Sequence, residues 1–232
     1  MKIQVAKLGR VEYGKALALQ EKLLSMRQED KIGDILLLVE HPPVITVGIR
    51  GEHSNILLPI EELKSSGVEL FDVHRGGDVT YHGPGQIVGY PIMNLSGYGK
   101  DIKEYVSKIE DVFINLLKND YGITAHQGEK KYTGVWVGDN KITAIGIQVK
   151  RWVTMHGFAF NVNTDLNHFT WINPCGITDK SVTSLQKLLG HEEDYDKLVD
   201  RVIYYFSEVF GVDMQDVSSD TELSSFIQEN IL

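Results

Sequence analysis

With one cysteine, Cys175, in its 232 residues, the chain can form no internal disulfide framework and no multi-cysteine zinc site. A lone thiol also suits a reducing compartment, where it stays free. Long apolar runs are missing too. Ile35-Leu-Leu-Leu-Val has the length of a buried strand, and nothing approaches the roughly 18 apolar residues that cross a bilayer. The first residues, Met1-Lys-Ile-Gln-Val-Ala-Lys-Leu, alternate like a strand and lack a signal-peptide core. Excess positive charge is absent: a net charge of −9 argues against non-specific nucleic-acid binding. The eight histidines form no HxH or HExxH pair, so no metal site is expected. The expectation is a cytoplasmic protein that works without nucleic acid, membrane or metal.

What is present reads as α+β. Residues 2–8 alternate like a strand, and Tyr13, Ala16, Leu17, Gln20, Leu23 and Leu24 recur at helical spacing over about 11–27. Residues 34–40 and 44–48 are short apolar strands separated by His41-Pro42-Pro43, which forbids helix. A short helix is expected near 61–65. Residues 69–73 and 87–93 read as strands flanking a glycine-rich loop, 75–85. A long helix over 101–119 has the apolar stripe Tyr105, Ile109, Val112, Phe113, Leu116 and Leu117. Gly138-Asp-Asn140 between two apolar runs signals a hairpin, and 155–162 reads as a further strand. Helices are expected over 181–189 and 195–210. Residues 1–212 read as one catalytic domain, and 213–232 as an acidic, loosely held tail with few anchors.

Three places have side chains suited to chemistry. Cys175 lies in Asn173-Pro-Cys-Gly-Ile, a tight turn that presents a side chain, although a lone cysteine is more commonly a small buried hydrophobe. Lys141 opens a strand just after the hairpin turn. It is either a solvated strand-end lysine or an ammonium that lowers the thiol pKa, and spacing alone does not bring the two together. The segment Arg75-Gly-Gly-Asp-Val-Thr-Tyr-His-Gly-Pro-Gly-Gln86 is dense in donors and in glycines that let backbone N–H groups approach a ligand. It has no P-loop ending and no GxGxxG after a strand.

Taken in order, His41-Pro-Pro-Val-Ile-Thr-Val-Gly, the Arg75–Gln86 segment, Gly134-Val-Trp-Val, Lys141-Ile-Thr-Ala-Ile-Gly-Ile, His156-Gly-Phe-Ala-Phe-Asn-Val and Pro174-Cys-Gly-Ile resemble the lipoyl(octanoyl) transferases over roughly residues 1–210. The resemblance implies a mixed, largely antiparallel sheet packed with helices, as in the lipoate and biotin protein ligases. It implies octanoyl transfer from acyl carrier protein to lipoyl domains of 2-oxoacid dehydrogenases and the glycine cleavage H protein, the first step of endogenous lipoate synthesis, without a cofactor. Cys175 becomes the thioester-forming nucleophile and Lys141 its partner. Arg75, Gly76, Gly77, Asp78, Val79, Thr80, Tyr81 and His82, with Ala144, Ile145, Gly146, Gly157, Phe158 and Ala159, would line the acyl pocket. Thr143 departs from the small residue expected there. Acidic partners would need a basic docking surface, for which Arg50, Lys130-Lys131 and Lys150-Arg151 are candidates. The rivals are an ATP-dependent lipoate or biotin ligase on the same fold, an enzyme relaying octanoyl between carrier domains, and a non-catalytic binding protein for acyl groups or lipoyl domains.

Overall fold

The computed structural model describes residues 1–129, 132–173 and 181–231. In chain order the elements are β1 (Lys2–Arg10), α1 (Tyr13–Gln28), β2 (Asp34–Glu40), β3 (Val44–Val47), α2 (Ile60–Ser65), β4 (Glu69–Asp72), β5 (Val79–His82) and β6 (Gln86–Ile92). There follow α3 (Ile102–Tyr121), β7 (His126–Gln127), β8 (Gly134–Val137), β9 (Asn140–Lys150), β10 (Val153–Asn161), β11 (Ser181–Val182), α4 (Leu185–Leu189), α5 (Tyr195–Phe210), β12 (Asp213–Asp216) and α6 (Thr221–Ile231).

The main sheet runs β12-β1-β2-β6-β10-β9-β8-β7, with β11 paired to β9. β1 is parallel to β2 and to β12, and β11 is parallel to β9, while the path from β2 to β7 is antiparallel. This is the mixed, largely antiparallel sheet that the family resemblance implied. β2 shows why its run is continuously apolar. Leu36 and Leu38 pack into a core with α3 and α5, and Ile35, Leu37 and Val39 pack into a second core with α1 and α6. A strand covered on both faces has no polar side to show.

The helices are fixed at their ends by short-range chemistry. Asp101 caps α3, its carboxylate accepting from the N–H groups of Lys103 and Glu104 at 2.8 and 3.1 Å. Gly122 ends the helix at a φ of 66°. The whole expected stripe of α3 is buried, and Glu110 is buried among it.

Two expectations change in the structure. The glycine-rich segment is not one loop: it contains β5, a β-branched and aromatic run that joins β3 and β4 in a second sheet, β4-β3-β5. Residues 181–189 are not one helix either. Ser181–Val182 extend the sheet, and Ser184 then caps α4 by accepting from the Lys187 N–H at 3.2 Å.

Anchors also appear after residue 212. β12 pairs with β1 through Lys2↔Asp213 to Val5↔Asp216, and α6 buries Leu223 and Ile227 against α1. The second sheet has its own small core and lies over β9, where the Gly76 N–H donates to the Ile147 carbonyl at 2.9 Å. The space between the two sheets is the candidate site.

Candidate active site

A cavity of about 400 Å³ lies between the sheets, with an inner chamber of about 50 Å³. Arg75, Thr80, Ala144, Ile145 and Ala159 line both. Gly77, Asp78, Val79 and Lys141 line the larger part, and His82, Gly146, Gly157 and Phe158 the inner part. Sequence reasoning therefore named part of the wall, while Trp136, Leu166, Phe169, Ile172 and Val182 also line it. Two named residues are not among those lining it. Gly76 holds the loop on β9 through its N–H. Tyr81 lies in the core of the small sheet, with its hydroxyl 2.8 Å from His168 Nδ1.

Cys175 falls in residues 174–180, outside the described residues. The residues that bracket it are described, and Asn173 and Ser181 both line the larger cavity. Asn173 is held by its N–H on the Asn55 carbonyl at 2.7 Å. Ser181 and Val182 pair with Asn140 and Lys141, and the Thr183 N–H donates to the Lys141 carbonyl at 2.9 Å. Backbone hydrogen bonds thus tie the stretch that follows 174–180 directly to the strand carrying Lys141.

Lys141 itself is held from several sides. Its Nζ donates to the Thr133 carbonyl at 3.2 Å and lies 5.0 Å from the centre of the Trp136 ring. The Trp136 indole N–H donates in turn to the Tyr132 carbonyl at 2.8 Å. Gly134, at a φ of 133°, makes the close approach possible, since a β-carbon there would meet the Thr143 carbonyl oxygen at 2.4 Å. The hydroxyl of Thr143 is buried, two residues along β9 from Lys141.

Arg75 is buried at 7% exposure, and a guanidinium so enclosed needs its hydrogen bonds made. Its Nε and Nη2 donate to Thr46 Oγ1 at 3.2 and 2.8 Å, Nη2 to the Thr46 carbonyl at 2.8 Å and Nη1 to the Gly76 carbonyl at 3.1 Å. Asp78 braces the same loop, with Oδ1 accepting from the Val79 N–H and Oδ2 from Asn55 Nδ2. Close packing fixes the loop height. A β-carbon at Gly146 would meet the Gly76 carbonyl oxygen at 2.7 Å.

Behind the inner chamber lies a layer of histidine and tyrosine. His41 bridges the Val11 carbonyl and the Tyr90 hydroxyl at 2.6 and 2.7 Å, and its pKa is pushed down to about 4 by burial. Burial pushes His82 down to about 3, with His41 adding to the effect, and His156 to about 4, with Arg75 adding. Burial raises the Tyr13 phenol to about 12. All of these groups are neutral at pH 7, so Arg75 is the charged side chain among the described residues lining the inner chamber. His156 also has a φ of 59°, a strained conformation for a non-glycine residue, with its N–H satisfied by Gln20 Oε1 at 3.0 Å.

The structure adds residues that motif reading did not place in the site. His82 Nδ1 is 2.8 Å from Gln86 Oε1, Gln86 Nε2 donates to Asn161 Oδ1 at 2.8 Å, and Asn161 Nδ2 donates to the Thr183 carbonyl at 3.0 Å. This chain links the inner chamber to the stretch that follows residue 180. Gln86 and Asn161 stood inside quoted motifs, and polar residues in otherwise apolar strands were the available signal. Of the basic docking candidates, Arg50 adjoins the cavity wall through its N–H on the Gly77 carbonyl. Lys150-Arg151 do not, because β9 carries them about 30 Å from Lys141. Lys130-Lys131 lie outside the described residues.

Comparison with known proteins gives the family. An octanoyltransferase of Desulforamulus reducens is 59% identical over 98% of this chain and 99% of its own. Among solved structures, a bipartite lipoate protein ligase from Thermoplasma acidophilum superposes with a TM-score of 0.73 at 18% identity, covering 93% of this chain and 86% of that one. A biotin protein ligase from Aquifex aeolicus superposes at 0.54 and 12%, covering 90% and 70%. These last two share the fold. The model of the lipoyl protein ligase A/B catalytic domain matches residues 12–207, and the chain belongs to that family.

Proposed function

We propose that this chain is an octanoyltransferase of protein lipoylation. It takes octanoyl from acyl carrier protein onto Cys175 as a thioester and passes it to the lysine amine of a lipoyl domain. One observation carries the reading. Lys141 lines the same cavity as Asn173 and Ser181, the residues that bracket the segment containing Cys175, and the cavity continues into an inner chamber walled largely by apolar side chains and neutral histidine and tyrosine. An octanoyl tail running from the larger cavity toward that chamber gains about 0.8 kcal/mol per buried methylene.

In the first half-reaction the Cys175 thiol gives its proton to the Lys141 amine, and the thiolate attacks the donor carbonyl. The carbon–sulfur bond to the carrier arm breaks, and its thiol leaves with a proton. One thioester replaces another, so no ATP is consumed. In the second, the lipoyl-domain amine attacks, Lys141 takes up its proton, and the Cys175 thiolate leaves. The amide formed is more stable than the thioester, which drives the transfer forward.

The test is nucleotide dependence. Purified protein, octanoyl-carrier thioester and a lipoyl domain should give octanoylated domain without ATP. Lys141→Ala should lower the rate at least about 100-fold. Modification that instead requires ATP and free octanoate would assign the chain as a ligase and overturn the reading.

A further inference from the structure

Lys141 Nζ donates to the carbonyl of the peptide unit joining Thr133 and Gly134, and the N–H of that same unit donates to Glu110 Oε1 at 2.9 Å. A single peptide group is therefore held between an ammonium and a carboxylate. We infer that Glu110 is a positioning residue for Lys141, acting through the Thr133–Gly134 peptide. The inference rests on Lys141 having the role proposed above, and it concerns a residue outside all the motifs that carry the family resemblance.

Glu110 lies in the middle of α3 with 5% of its surface exposed, between Ile109 and Asp111 in a stripe otherwise built of apolar side chains. A carboxyl there forfeits solvation, and a Gln or Leu would be the less costly resident. Burial raises its pKa above the ordinary range. The Gly134 N–H opposes that shift, Asp111 adds to it, and the Gly128 N–H and Lys141 oppose it. Among the described residues, Lys141 from β9 and Asp111 from α3 are the charged groups that act on it.

The physical consequence follows from the peptide dipole. Negative charge at the N–H end draws electron density toward the carbonyl oxygen and makes it a stronger acceptor for the ammonium of Lys141. Glu110 thus fixes the direction of Nζ and favours its protonated form, although the two side chains share no direct hydrogen bond. Gly134 is necessary to the arrangement. A β-carbon there would meet the Thr143 carbonyl oxygen and lie 3.4 Å from Lys141 Cε.

The experiment reads Lys141 directly, so it needs no transferase activity. The whole protein and Glu110→Gln are labelled with a trace of acetic anhydride across pH, and acetylation of Lys141 is mapped by peptide mass. Gln retains an oxygen for the Gly134 N–H but removes the charge. The half-labelling pH should fall by roughly one unit in Glu110→Gln, octanoyl transfer should drop about 10-fold in kcat, and the KM for the octanoyl donor should stay within about twofold. Glu110→Asp, which keeps the charge, should leave the half-labelling pH near that of the parent. An unchanged labelling curve in Glu110→Gln would overturn the inference. If Glu110→Gln does not fold, Glu110→Asp decides: a labelling curve displaced as far as that of Lys141 in urea-unfolded protein also overturns it. A parent protein with no transferase activity but with the expected labelling shift would count against the proposed function alone.

Discussion

At position 134 a β-carbon would meet the Thr143 carbonyl oxygen at 2.4 Å, on a backbone whose φ of 133° already disfavours any side chain. Gly134→Ala should therefore destabilise the protein by about 2–3 kcal/mol, measured by urea denaturation, and lower transfer more than Glu110→Gln does, because it displaces Lys141 itself. A stability within 0.5 kcal/mol of the parent would contradict the geometry. Thr46 makes a comparable case at the other wall. Its hydroxyl accepts from two nitrogens of the buried Arg75 guanidinium, and Thr46→Val keeps the shape while removing the acceptor. The expected cost is about 1.5–3 kcal/mol. The weakened wall should also raise the KM for octanoyl donors, read from initial rates against donor concentration.

At the scale of elements, the residues after 212 complete the fold. β12 covers the edge of β1, and α6 places Leu223 and Ile227 in the core that α1 and β2 share. A chain ending at Val212 should lose roughly 10 °C in Tm and scatter light on warming, since it uncovers a strand edge and two core side-chain sites. An unchanged Tm would contradict that account. The sequence offered little warning, because short amphipathic segments such as Thr221–Ile231 need their partner helix to be recognised. The long helix α3 was legible because its stripe from Tyr105 to Leu117 repeats over more than three turns. β5 was hidden because glycines on both sides made Val79-Thr-Tyr-His look like loop, and only pairing with Val44–Val47 reveals it as strand. Part of the pocket wall was legible through motifs. Glu110, Gln86 and Asn161 were not, since their roles come from partners 24 to 75 residues away.

For the molecule as a whole, the buried neutral histidines set an acid limit on stability. His41, His82 and His156 have folded-state pKa values near 4, 3 and 4, below the usual value of about 6.5 that they regain on unfolding. As pH falls below 6.5 the unfolded chain takes up these protons first. Their contribution is complete above that value and is lost down to about pH 4. Each histidine costs roughly 2 kcal/mol at pH 5 relative to pH 7.5, so the Tm should fall by about 10 °C or more between those pH values. His41→Asn should flatten this slope, and a Tm independent of pH in that window would contradict the neutral layer. The catalytic assignment is tested most directly by intact mass after mixing the protein with octanoyl-carrier thioester in the absence of ATP. The account predicts a gain of one octanoyl group that is absent in Cys175→Ala and is discharged by a lipoyl domain. An unmodified mass, or a gain that persists in Cys175→Ala, would contradict it.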